Sequence, residues 1–291
     1  MSKILKLLSI QPYLRFYEIM NYPVPKNAEL YFQYSDTERT NAKKMLKNTK
    51  EEVTNEFSWD KESEYMEEYL KEIKRLESTF QSIPFVEQIY LCNSISFNSL
   101  DKNSDIDLFI IAEPWRIRTV KFRSMILFTL KWAKRIWKRI RKKICLSFFI
   151  TSDSQNLYPI SLSSLDIYLA YWIAHLVLIY QPNEEINNSF FENNKRIKWI
   201  LPNYQEKQTI SLWINPFSWN TKFKDVMESL WNWLLWNIFE QIVKLIQKAI
   251  IRLKIMLNPV WNKDVVFSDS MLKFHQDIRE KVSLKYNIKV K

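Results

Sequence analysis

The chain has 291 residues, 47% hydrophobic and 26% charged, with a net charge of +11. That is a globular composition, large enough to bury a core in one or two domains, with a basic balance that suits anionic partners. The two cysteines, Cys92 and Cys145, form no CxxC pair, and His175 and His275 are far apart in sequence, so spacing gives neither a disulfide framework nor a zinc site.

Residues 1–60 read as a charged N-terminal extension, helical in pieces. The opening run MSKILKLLSIQPYLRFYEIM lacks a clean apolar core and a small-residue cleavage site, so no signal peptide and a cytoplasmic location are expected. A helix is expected from Lys61 to Gln81, where Glu and Lys recur at i,i+4 spacing. Pro84 marks its end.

Next come two strands. Ile89 to Ser94 reads as a buried strand ending in a small polar turn, where main-chain N–H groups and a hydroxyl can receive phosphate. Ser104 to Ala112 has the β-type composition and length of a second strand. Asp105 and Asp107 interrupt its apolar run. Side chains two apart on a strand share a face, with Cα atoms about 6–7 Å apart. Two carboxylates so placed repel, which makes most sense with a cation between them. A hard ion such as Mg²⁺ takes oxygen ligands and leaves positions for phosphate oxygens. A solvated strand end accounts for an isolated Asp-x-Asp equally well.

The combination resembles the nucleotidyltransferases of the DNA polymerase beta superfamily, the minimal nucleotidyltransferases above all. Ser94 stands eleven residues before Asp105, as the family's serine does, and Ser104-Asp105-Ile106-Asp107-Leu108 reproduces the closing pentapeptide. Asn93 and Asn98 take the places of two glycines, and Phe97 stands where an arginine is common. The resemblance is sharp over residues 83–151. It implies an α+β fold, with a small mixed sheet of the nucleotidyltransferase fold and helical N-terminal and C-terminal extensions. The core would span 61–153, between extensions at 1–60 and 154–291.

The resemblance also implies a chemistry. Asn93, Ser94, Asn98 and Ser104 would bind a nucleoside triphosphate, and Asp105 and Asp107 would hold Mg²⁺ or Mn²⁺. An acceptor hydroxyl on a small molecule, RNA or protein would then take the nucleoside monophosphate as pyrophosphate leaves. Active members carry a third carboxylate on a later strand. The matching stretch, Lys143 to Thr151, contains no acid. Ser147 is the polar residue in its middle, and Asp153, just past its end, is the candidate third acid. A catalytically lapsed member that binds nucleotide or nucleic acid is the alternative.

Arg116 to Lys143 shows helical spacing and reads as one crossover helix ending in the basic cluster Lys134, Arg135, Lys138, Arg139, Arg141, Lys142 and Lys143. That cluster could contact nucleic acid, or it is a solvated face. The chain also contains no glycine, against about 20 at ordinary usage. Tryptophan stands at several turn positions instead, notably Trp115 in the family's Pro-Gly-Arg turn, Trp261 and Trp59. That pattern would follow if the source reads UGA as glycine. UGG codons at Trp115, Trp236 and Trp261 would exclude it.

Beyond Ser154 the chain reads as helical. One helix is expected from a Ser163 or Ser164 cap to Tyr180, and a longer one carries Ile238, Ile242, Leu245, Leu253 and Met256 on one stripe. The uncharged run 167–183 falls short of the roughly 20 residues a spanning helix needs. No membrane span is expected.

Overall fold

The computed structural model describes residues 12–25, 28, 63–135, 139–163, 166–181, 189–201, 204, 233–257, 265–274 and 279–285. Trp59, Lys138, Ser164, Trp261 and His275 lie outside the described residues.

The described strands are β1 (Val86–Cys92), β2 (Ile106–Ala112), β3 (Ile144–Thr151), β4 (Val177–Tyr180), β5 (Val266–Phe267) and β6 (Met271–Lys273). They form one six-stranded mixed sheet in the order β4-β1-β2-β3-β6-β5. The described helices are α1 (Pro12–Met20), α2 (Met66–Arg75), α3 (Glu77–Gln81), α4 (Ile117–Leu130), α5 (Ile167–Ala174), α6 (Ser189–Asn193), α7 (Trp233–Leu257) and α8 (Arg279–Lys285). The fold is α+β. Among the described residues no helix is long and apolar enough to cross a membrane.

The centre of the sheet follows from the apolar runs. β2 is buried along its whole length, as a central strand covered on both faces must be. It pairs antiparallel with β1 and parallel with β3. A parallel pair needs a crossover, and α4 supplies it. On one face, Phe80 of α3 meets Phe128 of α4 edge-on at 5.5 Å. On the other, Phe109 of β2 packs against Phe148 and Phe190 at 5.0 and 5.2 Å.

Three expectations change here. Residues past 153 are not helical throughout, because β4, β5 and β6 join the same sheet. The helix read from Ser163 to Tyr180 is α5 followed by β4: Asp166 caps it, accepting from the Leu169 amide, and it stops at His175. Val177–Tyr180 then pairs with β1, since an open sheet edge recruits a β-rich segment more strongly than helical spacing holds it. The expected helix from Lys61 likewise begins only at Met66 and breaks at Leu76.

The crossover helix is also shorter than expected. α4 ends at Leu130, so the basic cluster lies beyond it. Arg141 and Lys142 pair with Glu68, and Lys143 Nζ donates to the Trp132 carbonyl. The start of α4 is capped from a distance. The buried Glu240 carboxylate on α7 accepts from the Arg118 amide at 2.9 Å and the Thr119 amide at 2.7 Å. A carboxylate there satisfies N–H groups that the helix leaves open and matches its positive end.

Trp115 and Trp132 flank α4 with φ of 64° and 55°. A side chain with a Cβ costs about 1–2 kcal/mol in this left-handed region. Neither indole recovers much by packing, as they are 69% and 76% exposed. The double variant Trp115→Gly/Trp132→Gly is therefore expected to gain about 1–2 kcal/mol, even after glycine's added freedom in the unfolded chain. Urea unfolding measures this. A lower midpoint would show that the indoles contribute packing after all.

Candidate functional site

Ladder register assembles the site. Asp107 stands opposite Cys92 on β1 and opposite Cys145 on β3. Directly paired residues share a face of the sheet, so Cys92, Asp107 and Cys145 form a row across three strands. Asp105 lies just before β2, at the same end. Cys145 pairs with Asp107 but Phe148 pairs with Phe109, so β3 carries one extra residue, a bulge beside the row.

The site is largely closed to solvent. Asp105 is half-buried, but Asp107 is only 5% exposed. Phe109, two residues on and therefore on the same face, meets Trp172 of α5 edge-on at 5.3 Å. That helix covers the face carrying Asp107. It also reaches the polar turn, because Trp172 Nε1 donates to Asn93 Oδ1 at 3.0 Å.

Asp105, Asp107 and Cys145 bring one ligand atom each to within 4.8 Å of one another. Arg135 lies among them: its Nη1 donates to Asp105 Oδ2 at 2.5 Å and to Cys145 Sγ at 3.8 Å. Its backbone is pinned in turn, with the Arg135 amide donating to the Ile144 carbonyl at 3.0 Å. The electrostatics follow from crowding. Burial raises the Asp105 carboxyl and the Asp107 charge raises it further, against the pull of Arg135. Burial and both carboxylates push the Cys145 thiol far up, so it stays protonated and donates to Asp107. Tyr22 is a further neighbour, its phenol pushed up to about 12 by burial and the Asp107 charge.

The polar turn adopts the backbone that the glycine positions require. Asn93 and Asn98 have φ of 58° and 52°, a region asparagine tolerates better than most residues. The Ser94 carbonyl accepts from the Ser99 amide at 2.8 Å, closing the turn two residues past Cys92. Asn98 and Ser104 use their side chains to hold the loop. Asn98 Oδ1 accepts from the Ser63 amide at 2.7 Å, and Ser104 Oγ accepts from the Asp101 amide at 2.9 Å. Phe97 turns inward, stacked between Tyr22 at 4.7 Å and His175 at 4.4 Å. It fills core, not a ligand pocket.

Asp153 does not join the pair. It sits in a 3₁₀ turn after β3, at the opposite end of a strand whose start lies beside Asp107. At about 3.3 Å per residue that is a separation of more than about 20 Å. The group that the fold brings opposite Asp107 is Cys145, which sequence spacing had not marked. Tyr22 was equally invisible, as it arrives from the N-terminal segment.

Oxygen ligands from Asp105 and Asp107 suit Mg²⁺ or Mn²⁺. The Cys145 sulfur does not suit Mg²⁺ and suits softer ions. Comparison with protein-family models, with curated proteins and with solved structures finds no match to this chain.

Proposed function

We propose that this chain is a metal-dependent nucleotidyltransferase, moving a nucleoside monophosphate from a nucleoside triphosphate to an acceptor hydroxyl. The observation that carries this reading is the meeting, at one end of the sheet, of the Asp105/Asp107 pair and the Asn93–Asn98 turn. Asn93 and Asn98 hold left-handed backbone where the resembling family has glycine.

In this reading, main-chain amides around Ser94 receive the triphosphate. Asp105 and Asp107 supply the carboxylates for a divalent ion. Such an ion neutralises the charge that builds up as the acceptor oxygen attacks and pyrophosphate leaves. Positioning and electrostatics then supply most of the rate, as in phosphoryl transfer generally. For binding to occur, Arg135 must give up Asp105.

A second reading keeps the binding and drops the transfer. It is favoured by the lack of any acid on β3, whose first half offers only Cys145 and Ser147 as polar residues, and by the Arg135 pair that already neutralises Asp105. Incubating the protein with labelled nucleotides, Mg²⁺ or Mn²⁺, and a panel of acceptors separates the two. Pyrophosphate release with transfer of label supports the first reading. Retained nucleotide without pyrophosphate supports the second. Neither binding nor release would overturn both.

A further inference from the structure

We propose that Asp105, Asp107 and Cys145 together bind a thiophilic divalent cation, of the Zn²⁺, Co²⁺ or Cd²⁺ class, and that Arg135 is the group the ion displaces. This deepens the metal-binding half of the reading above and rests on it; what it adds is the class of ion and the gatekeeper.

Two observations carry it. The first is the donor set. Three ligand atoms lie within 4.8 Å of one another, two of them carboxylate oxygens and one a thiol sulfur. Ligands at about 2.0–2.3 Å from a tetrahedral ion stand about 3–4 Å apart, so small side-chain rotations close the site. A thiolate adds strongly to affinity for Zn²⁺ or Co²⁺ and nothing for Mg²⁺. The bulge in β3 lies directly after Cys145.

The second observation is where the local cation sits. Arg135 Nη1 donates to both Asp105 and Cys145, so a positive charge already lies between an oxygen and the sulfur of the set. An ion bound there competes with the guanidinium. Arg135 is free to leave, since its side chain is 41% exposed. The exchange balances simply: the ion forms a bond to Cys145 sulfur, the thiol proton passes to solvent, and Arg135 moves into water. Cys92 is not the ligand in this scheme, because its sulfur is turned to the Asp107 carbonyl at 3.5 Å.

Co²⁺ titration of the full chain tests this by absorbance, without reference to activity. Thiolate bound to Co²⁺ gives a charge-transfer band in the near ultraviolet, separate from the visible d–d bands. Wild type is expected to show the near-ultraviolet band saturating at a single ion per chain, erased by Zn²⁺ but not by excess Mg²⁺. Cys145→Ser should lose that band and bind Co²⁺ at least about tenfold more weakly. Cys92→Ser should keep it. Arg135→Gln should reach saturation at lower Co²⁺, because the competing cation is gone. Visible bands without the near-ultraviolet band in wild type would show an oxygen-only site, overturning the role of Cys145 while leaving the metal reading intact. A band that Cys92→Ser removes and Cys145→Ser keeps would assign the wrong thiol. No Co²⁺ signal at all would overturn both this proposal and the metal half of the proposed function.

Discussion

The double variant Asp105→Asn/Asp107→Asn is expected to lose metal-dependent triphosphate binding and to keep its fold. Asparagine preserves the shape and one acceptor oxygen at each position, so Arg135 and Cys145 still find a partner. What it removes is the negative charge that holds the ion. Loss of two charged ligands should cost at least about 100-fold in metal affinity, since even outer-shell changes cost 10- to 100-fold. The fold should not suffer. The Asp105 carboxyl is raised above its ordinary 3.8, first by burial and then by Asp107, so its ionised form weakens the native state. That penalty is absent below pH 3.8 and grows as pH rises through the higher native value. At neutral pH the variant should therefore be at least as stable as wild type. Titrating nucleotide into both proteins, with and without Mn²⁺, is the measurement. Equal, metal-independent binding by the two would show that the carboxylate pair is no metal site.

Mild acid should destabilise the protein through His175. This side chain is fully buried, and burial holds its pKa down to about 3, below an ordinary 6.5. Its Nδ1 faces the Tyr171 carbonyl at 2.8 Å, which can only accept, so Nδ1 carries the proton. Nε2 then accepts from the Tyr17 hydroxyl at 2.9 Å. The neutral ring is satisfied on both sides and has no place for a second proton. A native pKa below the unfolded one gives stability that is complete above pH 6.5 and lost as pH falls toward 3. The full loss is on the order of 5 kcal/mol, partly offset by the opposite trend at Asp105. Unfolding free energies from urea titrations between pH 7 and 4 should show the decline, and His175→Gln should remove most of its slope. An unchanged slope in that variant would place the acid sensitivity elsewhere. Because His175 stacks on Phe97 inside the Asn93–Asn98 turn, the same opening would loosen the candidate site.

Some of this was legible in local pattern. The apolar runs of β2 and β3 lie within two residues of their expected bounds, and β1 begins three residues earlier than expected, because burial on both faces demands continuous β-branched and aromatic side chains. The Asn-rich turn was also readable, since few residues tolerate the left-handed backbone that Asn93 and Asn98 adopt. The mixed α+β class was an expectation carried by the resemblance over residues 83–151, not by these runs alone.

Where pattern is ambiguous it misled. Val177–Tyr180 fits a helix face and a strand equally well, and the free edge of β1 decided for the strand. The basic stretch after Leu130 has helical spacing, but Arg141 and Lys142 turn back to Glu68, an ion-pair choice made by a residue more than sixty positions away. The sequence by itself determined that two carboxylates, two residues apart, stand at the start of a strand beside a polar turn, for that spacing is a local property of the chain. Only the tertiary structure decided what they face. The register of β2 against β3 sets Cys145, not Asp153, opposite Asp107, and the chain's return after α4 delivers Arg135 to Asp105. Those meetings depend on hydrogen-bond ladders between distant segments, and no periodicity within either segment encodes them.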